Sequence, residues 1–292
     1  MHLSKEGIIK KIIKQALEED IGKGDLTTFL SVSYRVKTKV FIVAREKGIL
    51  CGINIAKEVF KHLDHQLKFK SLKKDADEFT KGDKIAKIEG KACSILAAER
   101  VALNFLSLLS GIATCTKGFI ERVKGTRAKI MDTRKTTPNL RILEKYAVKM
   151  GGGKNHRYNL DDGILIKDNH LRASGIIRNE KINEDALQNL IELLRASTNL
   201  PLEIEVENLG EFKKVIKYKP DIVMLDNFNL SSLKRAVKFR NKYFPKTNLE
   251  ASGGINLKNI RNIAKSGIDF ISVGAITHSP RSIDFSLEIA HV

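Results

Sequence analysis

What most constrains this chain is a rhythm that begins after residue 128. Short apolar runs ending in polar residues recur at 128–132 (AKIMD), 163–168 (GILIKD), 202–206 (LEIEV), 221–226 (DIVMLD), 248–254 (NLEASGG) and 269–275 (DFISVGA). Segments with helical spacing alternate with them, at 140–148, 183–196, 211–218, 231–244 and 257–266. Parallel strands cannot be joined by tight hairpins and need crossover connections, so the alternation predicts a parallel sheet covered by helices. Six such units are short of a full eight-stranded barrel, which leaves an open sheet as the alternative. The polar residues favour a barrel. They gather at the C-terminal strand ends, the face where barrel enzymes carry their chemistry. Glu203, Glu205 and Glu207 also alternate with Ile204 and Val206, so a period-2 strand places all three carboxylates on one face. A barrel that is polar toward its mouth accommodates them; a buried apolar sheet does not. No GxGxxG or GxxxxGK[ST] is present, so neither a dinucleotide fold nor a P-loop is indicated.

Residues 1–115 have a different texture. Ile8, Ile9, Ile12, Ile13, Ala16 and Leu17 have the spacing of an amphipathic helix over 1–19. A strand is expected at 39–44, a helix at 53–63, and a β-like stretch with turns at 81–83 and 89–91. A long helix should start at Cys93 or Ser94, with Ser94 as its cap, and end near Ser110. The N-terminal helix lacks the apolar core and small-residue cleavage site of a signal peptide, and reads as part of a mature cytoplasmic protein. The longest uncharged stretch, Val101 to Thr116, contains Asn104, Ser107 and Ser110 and is shorter than the ~20 apolar residues of a bilayer span, so no membrane role is expected. Cys51, Cys93 and Cys115 cannot all pair and form no CxxC, which points to a reducing compartment.

Lys and Arg number 52 against 34 Asp and Glu, a formal charge of +18 that favours anionic partners. Nucleic acid is not the expected one: aromatic residues are 6% of the chain, Trp is absent, and there is no basic low-complexity tail. The placement of the cations is more informative. Arg134 and Lys135 follow the first run, His156 and Arg157 follow a glycine triplet at 151–153, and Lys167 closes the second run. Brought together at one rim these groups repel, and arginine forks suit a ligand with two or more acid groups. Internal pairing with Asp132, Asp161, Asp162 and Asp168 is the competing reading, and His156 taken alone is as readily a structural hydrogen-bonding histidine. Glu205 and Asp226 end two successive runs. As oxygen-only donors they suit Mg²⁺, although salt bridges to Lys167 or Arg134 fit the spacing equally. Ser252, Gly253 and Gly254 end the fifth run, where a helix should open, and Gly274 ends the sixth. Glycines there let backbone amides approach a phosphate, though tight turns alone also require them. The triplet at 151–153 is ambiguous, because glycine after a helix is also an ordinary stop.

Several longer motifs carry a resemblance over nearly the whole chain: EDIGKGDLTT at 19–28, ERVALN at 99–104, LSGIAT at 109–114, DTRKTTP at 132–138, GGGKNHR at 151–157, IKDNH at 166–170, MLDN at 224–227 and EASGGI at 250–255. In this set and order the sequence resembles the quinolinate phosphoribosyltransferase family. The resemblance implies an incomplete TIM-like α/β barrel over 116–275 with an N-terminal α/β sandwich domain over 1–115, the latter joined by the tail at 276–292. It implies phosphoribosyl transfer from phosphoribosyl pyrophosphate to quinolinate with decarboxylation, in de novo NAD synthesis, with Mg²⁺. It further implies a homodimer with shared active sites, in which Arg100 comes from the partner subunit; a hexamer of dimers stays open. Arg100, Arg134, His156, Arg157 and Lys167 are then expected to hold quinolinate, and Lys135 a carboxylate or pyrophosphate. Lys135, Lys167, Glu205 and Asp226 are the expected catalytic set, with Glu205 and Asp226 on Mg²⁺, and Ser252, Gly253, Gly254 and Gly274 on the 5′-phosphate. Asn139 stands where the family pattern has glycine, and Ser107 where glutamine is common. The alternatives are a related barrel enzyme acting on another pyridine or dicarboxylate, and a Schiff-base lyase using Lys167.

Overall fold

The structure, a computed structural model, describes residues 5–179 and 181–290; the outermost residues of the expected N-terminal helix and C-terminal tail lie outside these. The chain packs as two compact units, one of residues 1–117, 135–153 and 276–292, the other of 118–134 and 154–275.

The first unit is built on a four-stranded antiparallel sheet in the order Phe285–Ile289, Lys37–Ala44, Lys84–Lys91, Lys68–Ser71. The C-terminal strand joins at the edge in register Val40 to Ile289 and Ala44 to Phe285. Val40 and Ile42, paired with Ile88 and Ala86, are fully buried, and helix Ile53–Leu63 contributes buried Val59 and Phe60. Phe60 meets Phe69 in a tilted ring contact with centroids 5.8 Å apart, tying helix to sheet. The expected helix near 93–110 is longer, Ala92–Val123, because no proline or capping turn interrupts it. Its start precedes Ser94, whose hydroxyl donates to Asp64 Oδ2 at 3.1 Å instead of capping. By length and composition this helix could cross a bilayer, but Ile95, Ala98, Leu106, Leu109, Ile112 and Ala113 are fully buried, so a full side of it is spent on the core.

Segment 135–153 falls in the range assigned above to the barrel domain, yet it packs in the first unit. Gly151 ends helix Arg141–Met150, and a Cβ on it would stand 2.6 Å from Thr116 Cβ, so only glycine permits this close approach to the long helix. Tyr146, on the same helix, donates to Asp75 Oδ2 at 2.8 Å. The triplet thus serves as a helix stop and a packing point. Asn139 adopts a left-handed φ of 66°, a conformation asparagine tolerates better than other non-glycine residues, so the turn survives the departure from the family pattern.

The second unit contains the six parallel strands. In chain order they are the first (Lys129–Met131), second (Ile164–Ile166), third (Leu202–Val206), fourth (Ile222–Asp226), fifth (Asn248–Ser252) and sixth (Phe270–Ser272). Spatially the order is first, sixth, fifth, fourth, third, second. The first strand pairs with the last, as in a closed barrel, while among the described residues no ladder joins the first strand to the second. A single parallel bridge, Met131 to Lys154, lies on the open side. This is an incomplete barrel. Ile204, Val223, Leu225, Leu249 and Ile271 are fully buried within it.

Three of its crossover helices start alike. Asn183, Asn208 and Asn229 accept the amide hydrogens of Ala186, Glu211 and Ser232 at 3.1, 3.0 and 2.9 Å, each satisfying an otherwise orphaned helix donor. At the N-terminal strand ends Arg240 is buried, donating to Asp269 and to the Thr247 carbonyl. This buried pair lies at the face opposite the C-terminal strand ends, where barrel enzymes carry their chemistry.

Candidate active site

The two carboxylates of the third strand and the one just after it form a gradient from interior to rim: Glu203 is buried, Glu205 half-buried and Glu207 exposed. Glu203 meets His156, whose Nε2 lies 2.9 Å from Glu203 Oε2 and 3.8 Å from Glu250 Oε2. Glu250, in the middle of the fifth strand, is fully buried, and neither carboxylate oxygen has a hydrogen-bond partner among the described residues. Burial, reinforced by the Glu203 carboxylate, holds the Glu250 carboxyl well above the usual carboxylate range. His156, Glu203 and Glu250 offer donor atoms within 4.8 Å of one another and could on that count hold a metal ion. The 2.9 Å His156–Glu203 contact satisfies only part of this cluster: Glu203 Oε1, like both Glu250 oxygens, is buried without a hydrogen-bond partner among the described residues.

Nearer the rim, the amide of His156 donates to Asp132 Oδ1 at 2.9 Å, and the Arg157 guanidinium donates through Nη1 to the Gly163 carbonyl at 3.1 Å. Burial, and the neighbouring Arg134 guanidinium, pull the Arg157 pKa down. Two guanidinium groups thus share a partly desolvated space, an arrangement whose electrostatic cost an anion would offset. Of the acids offered above for internal pairing, Asp162 accepts the Tyr158 amide at 2.8 Å and Asp168 faces Arg172 at 3.8 Å.

Lys167 begins a short helix, Asp168–Ala173; its backbone N–H donates to His170 Nδ1 and its Nζ lies 3.4 Å from Glu205 Oε2. Burial raises the Glu205 pKa, Lys167 opposes the rise, and Asp226 and Asp168 add to it. Asp226 closes the fourth strand, adjacent to the third in register Glu205 to Met224. Its Oδ2 accepts from Asn227 Nδ2 at 2.7 Å, and Asn227 in turn abuts Gly253. Ser252, Gly253 and Gly254 end the fifth strand, with φ of 87° and 60° at the two glycines. The helix expected to open there does not begin until Ile260. A turn intervenes, because Asn259 Nδ2 and Oδ1 tie to the Gly254 carbonyl and the Asn256 amide, both at 2.9 Å. Any anion held there meets loop amides, with no helix start next to the glycines. Gly274 follows the sixth strand.

Arg100 and Lys135 belong to the first unit. Arg100 is exposed on the long helix; Lys135 is exposed and its carbonyl accepts from Thr277 Oγ1 at 2.7 Å. The site reading of the sequence passed over Glu203, Glu250 and Asn227. The available signal was a glutamate at the centre of each of two apolar strands, where a charge needs a reason.

An incomplete α/β barrel with neighbouring arginines, a lysine–carboxylate pair and glycine-bearing strand ends has the architecture of an α/β-barrel enzyme. Comparison with known proteins specifies which. Residues 112–288 match the model for the quinolinate phosphoribosyl transferase C-terminal domain, and residues 25–110 its N-terminal domain. The chain is 41% identical over 285 residues to a probable carboxylating nicotinate-nucleotide pyrophosphorylase of Methanocaldococcus jannaschii, covering 96% of each chain. It is 40% identical over 299 residues to the chloroplastic carboxylating nicotinate-nucleotide pyrophosphorylase of Arabidopsis thaliana, covering 96% of this chain and 82% of the relative. The solved nicotinate-nucleotide pyrophosphorylase of Francisella tularensis superposes with a TM-score of 0.88 at 39% identity, over 99% of this chain and 98% of that one. The chain belongs to the quinolinate phosphoribosyltransferase family.

Proposed function

We propose that the barrel rim seats quinolinate on Arg134, Arg157 and Lys167 beside phosphoribosyl pyrophosphate held between Glu205, Asp226 and the Ser252–Gly254 loop. The reaction transfers the phosphoribosyl group to quinolinate with loss of CO₂, giving nicotinate mononucleotide and pyrophosphate for de novo NAD synthesis. The observation that carries the site reading is the Arg134–Arg157 pair in a partly buried space, with Lys167 and two carboxylates on the same strand ends.

The chemistry follows from charge placement. The bond from ribose C1 to pyrophosphate breaks, its electron pair leaves with pyrophosphate, and the quinolinate nitrogen forms the new bond to C1. Glu205 and Asp226, assigned beside the ribose, would stabilise the positive charge that develops on the sugar. The ring nitrogen is then cationic and accepts the electrons left on the ring as the 2-carboxylate departs as CO₂, after which that carbon takes a proton. The arginines and Lys167 hold the ring so that its nitrogen faces C1, so the rate derives from positioning and fixed charge, with no protein nucleophile.

Glu205 and Asp226 are hard oxygen donors in a site where burial and mutual repulsion disfavour two bare carboxylates, a donor set that fits Mg²⁺. Mg²⁺ bound there would neutralise the pyrophosphate leaving group. Lys135, next in the chain after Arg134, is assigned to pyrophosphate or a quinolinate carboxylate, and Gly274 to the 5′-phosphate with Ser252, Gly253 and Gly254. Arg100 is assigned to the neighbouring protomer's quinolinate site in a homodimer. Leu26, Phe29, Leu30 and Tyr34, close together in the chain and 68% to 81% exposed, are apolar side chains that a partner subunit would cover. The free thiols of Cys51, Cys93 and Cys115 support a cytoplasmic location.

The test is release of both CO₂ and pyrophosphate from quinolinate plus phosphoribosyl pyrophosphate, with nicotinate as control. Equal turnover of nicotinate, or pyrophosphate release without CO₂, would overturn the assignment.

A further inference from the structure

The loop at 135–139 is mostly exposed yet tied down at several points. Lys135, Thr137, Pro138 and Asn139 are exposed and Thr136 is half-buried. The Lys135 carbonyl accepts from Thr277 Oγ1 at 2.7 Å, and Thr136 Oγ1 accepts from Arg141 Nε at 3.0 Å. The Thr137 carbonyl accepts from the Leu140 amide at 3.1 Å, around the left-handed Asn139. The Thr137 amide donates to both carboxyl oxygens of Glu144, at 3.3 and 3.2 Å. All of these groups belong to the first unit.

Glu144 is the unusual member. It sits in the first turn of helix Arg141–Met150, fully buried, and among the described residues its hydrogen bonds all go to Thr137. Burial pushes its carboxyl above the usual carboxylate range, so the fold sustains a cost to keep an acid there. An amide on an exposed residue has water available and does not need a buried acid to satisfy it. What the acid adds is a fixed position for the loop main chain. The helix that carries it is itself anchored, through the Tyr146 hydroxyl donating to Asp75 Oδ2 at 2.8 Å.

We propose that Glu144 is a positioning residue: its buried carboxyl group pins the Thr137 amide and thereby holds Lys135 in place for the anion that Lys135 binds. This rests on the assignment of Lys135 to pyrophosphate or a quinolinate carboxylate. A lysine is a point charge on a flexible stem, so its reach is set by where its own main chain stands. Thr277, Arg141 and Glu144 fix that main chain from the Lys135 carbonyl onward.

The test joins amide exchange to kinetics on the full-length enzyme. Read by NMR, the Thr137 N–H should exchange at least about tenfold more slowly in the wild type than in Glu144→Ala, with Glu144→Gln close to wild type because its amide oxygen still accepts. Unprotected exchange in the wild type overturns the lock, with no variant needed. Glu144→Ala should raise KM about tenfold or more for the same substrate whose KM Lys135→Ala raises, and Glu144→Gln should stay within about threefold of wild type. Adding Glu144→Ala to Lys135→Ala should change that KM less than about twofold, since both act through one amine. A lowered melting temperature with unchanged kinetics in Glu144→Ala, or fully additive losses in the double variant, overturns the positioning role. Normal kinetics in Lys135→Ala with the amide still protected overturns it from the other side: the assignment of Lys135 fails while the lock stands.

Discussion

Asn227 and Gly253 interlock at the ends of adjacent strands: a Cβ at 253 would stand 2.9 Å from the Asn227 backbone nitrogen and closer still to its side-chain amide. The same asparagine donates to Asp226, so one side chain sets both a carboxylate and the glycine loop. With φ of 87°, Gly253→Ala combines this overlap with a left-handed backbone and should cost about 1–3 kcal/mol of stability. In thermal unfolding, Asn227→Ala in the same chain should restore part of the loss. Calorimetry should show phosphoribosyl pyrophosphate binding weakened more than quinolinate binding. An unchanged melting temperature in Gly253→Ala would contradict the interlock.

Arg157→Lys keeps the charge but loses the planar fork that matches a carboxylate. Quinolinate affinity should fall by about 1.5–3 kcal/mol, roughly ten- to a hundredfold, with phosphoribosyl pyrophosphate affinity nearly unchanged. Equal losses for both substrates would count against the clamp.

Asp226→Asn removes one of the two oxygen-rich charges assigned to Mg²⁺. The Mg²⁺ concentration for half-maximal activity should rise about tenfold, equivalent to about 1.4 kcal/mol. An unaltered Mg²⁺ titration with normal folding would move the ion elsewhere.

If Arg100 serves the neighbouring protomer, Arg100→Ala and Lys167→Ala chains, each inactive alone, should complement when mixed. Random exchange makes half the dimers hybrid, each with one intact site, so about a quarter of wild-type activity should return. No recovery, with subunit exchange verified by mass spectrometry, argues against a shared site.

Glu250 has its carboxyl pKa raised in the folded chain, so between its unfolded and folded values the native state holds the extra proton. Its contribution to stability is full below the unfolded value and is lost as pH rises through that window. Glu250→Gln, which cannot ionise, should lose less stability than wild type as pH rises above the ordinary carboxylate range. Melting temperatures taken across pH check this: parallel profiles for the two proteins would refute a buried, protonated Glu250.

Much of the barrel was legible because it is local. Period-2 runs and 3.6-residue spacing mark the six strands and the helices between them, and the strand-to-helix order places Lys167, Glu205, Asp226 and Ser252 at one set of strand ends. The less legible features were boundaries and partners. The long helix overran its expected end near Ser110 because nothing local stops it before Val123, and the helix after Gly254 started late because Asn256 and Asn259 form a side-chain-stabilised turn.

The sequence by itself determined the alternation of strands and helices, the acidic third strand, and the set of cations, acids and glycines at the strand ends, since these follow from nearest-neighbour geometry along the chain. Only the tertiary structure decided that the first strand pairs with the sixth, that segment 135–153 packs in the first unit, and that Glu203 and Glu250 converge on His156. Those outcomes depend on contacts between residues far apart in the chain, whose closure entropy is offset only when the whole core forms, and no local pattern encodes which distant partner completes them.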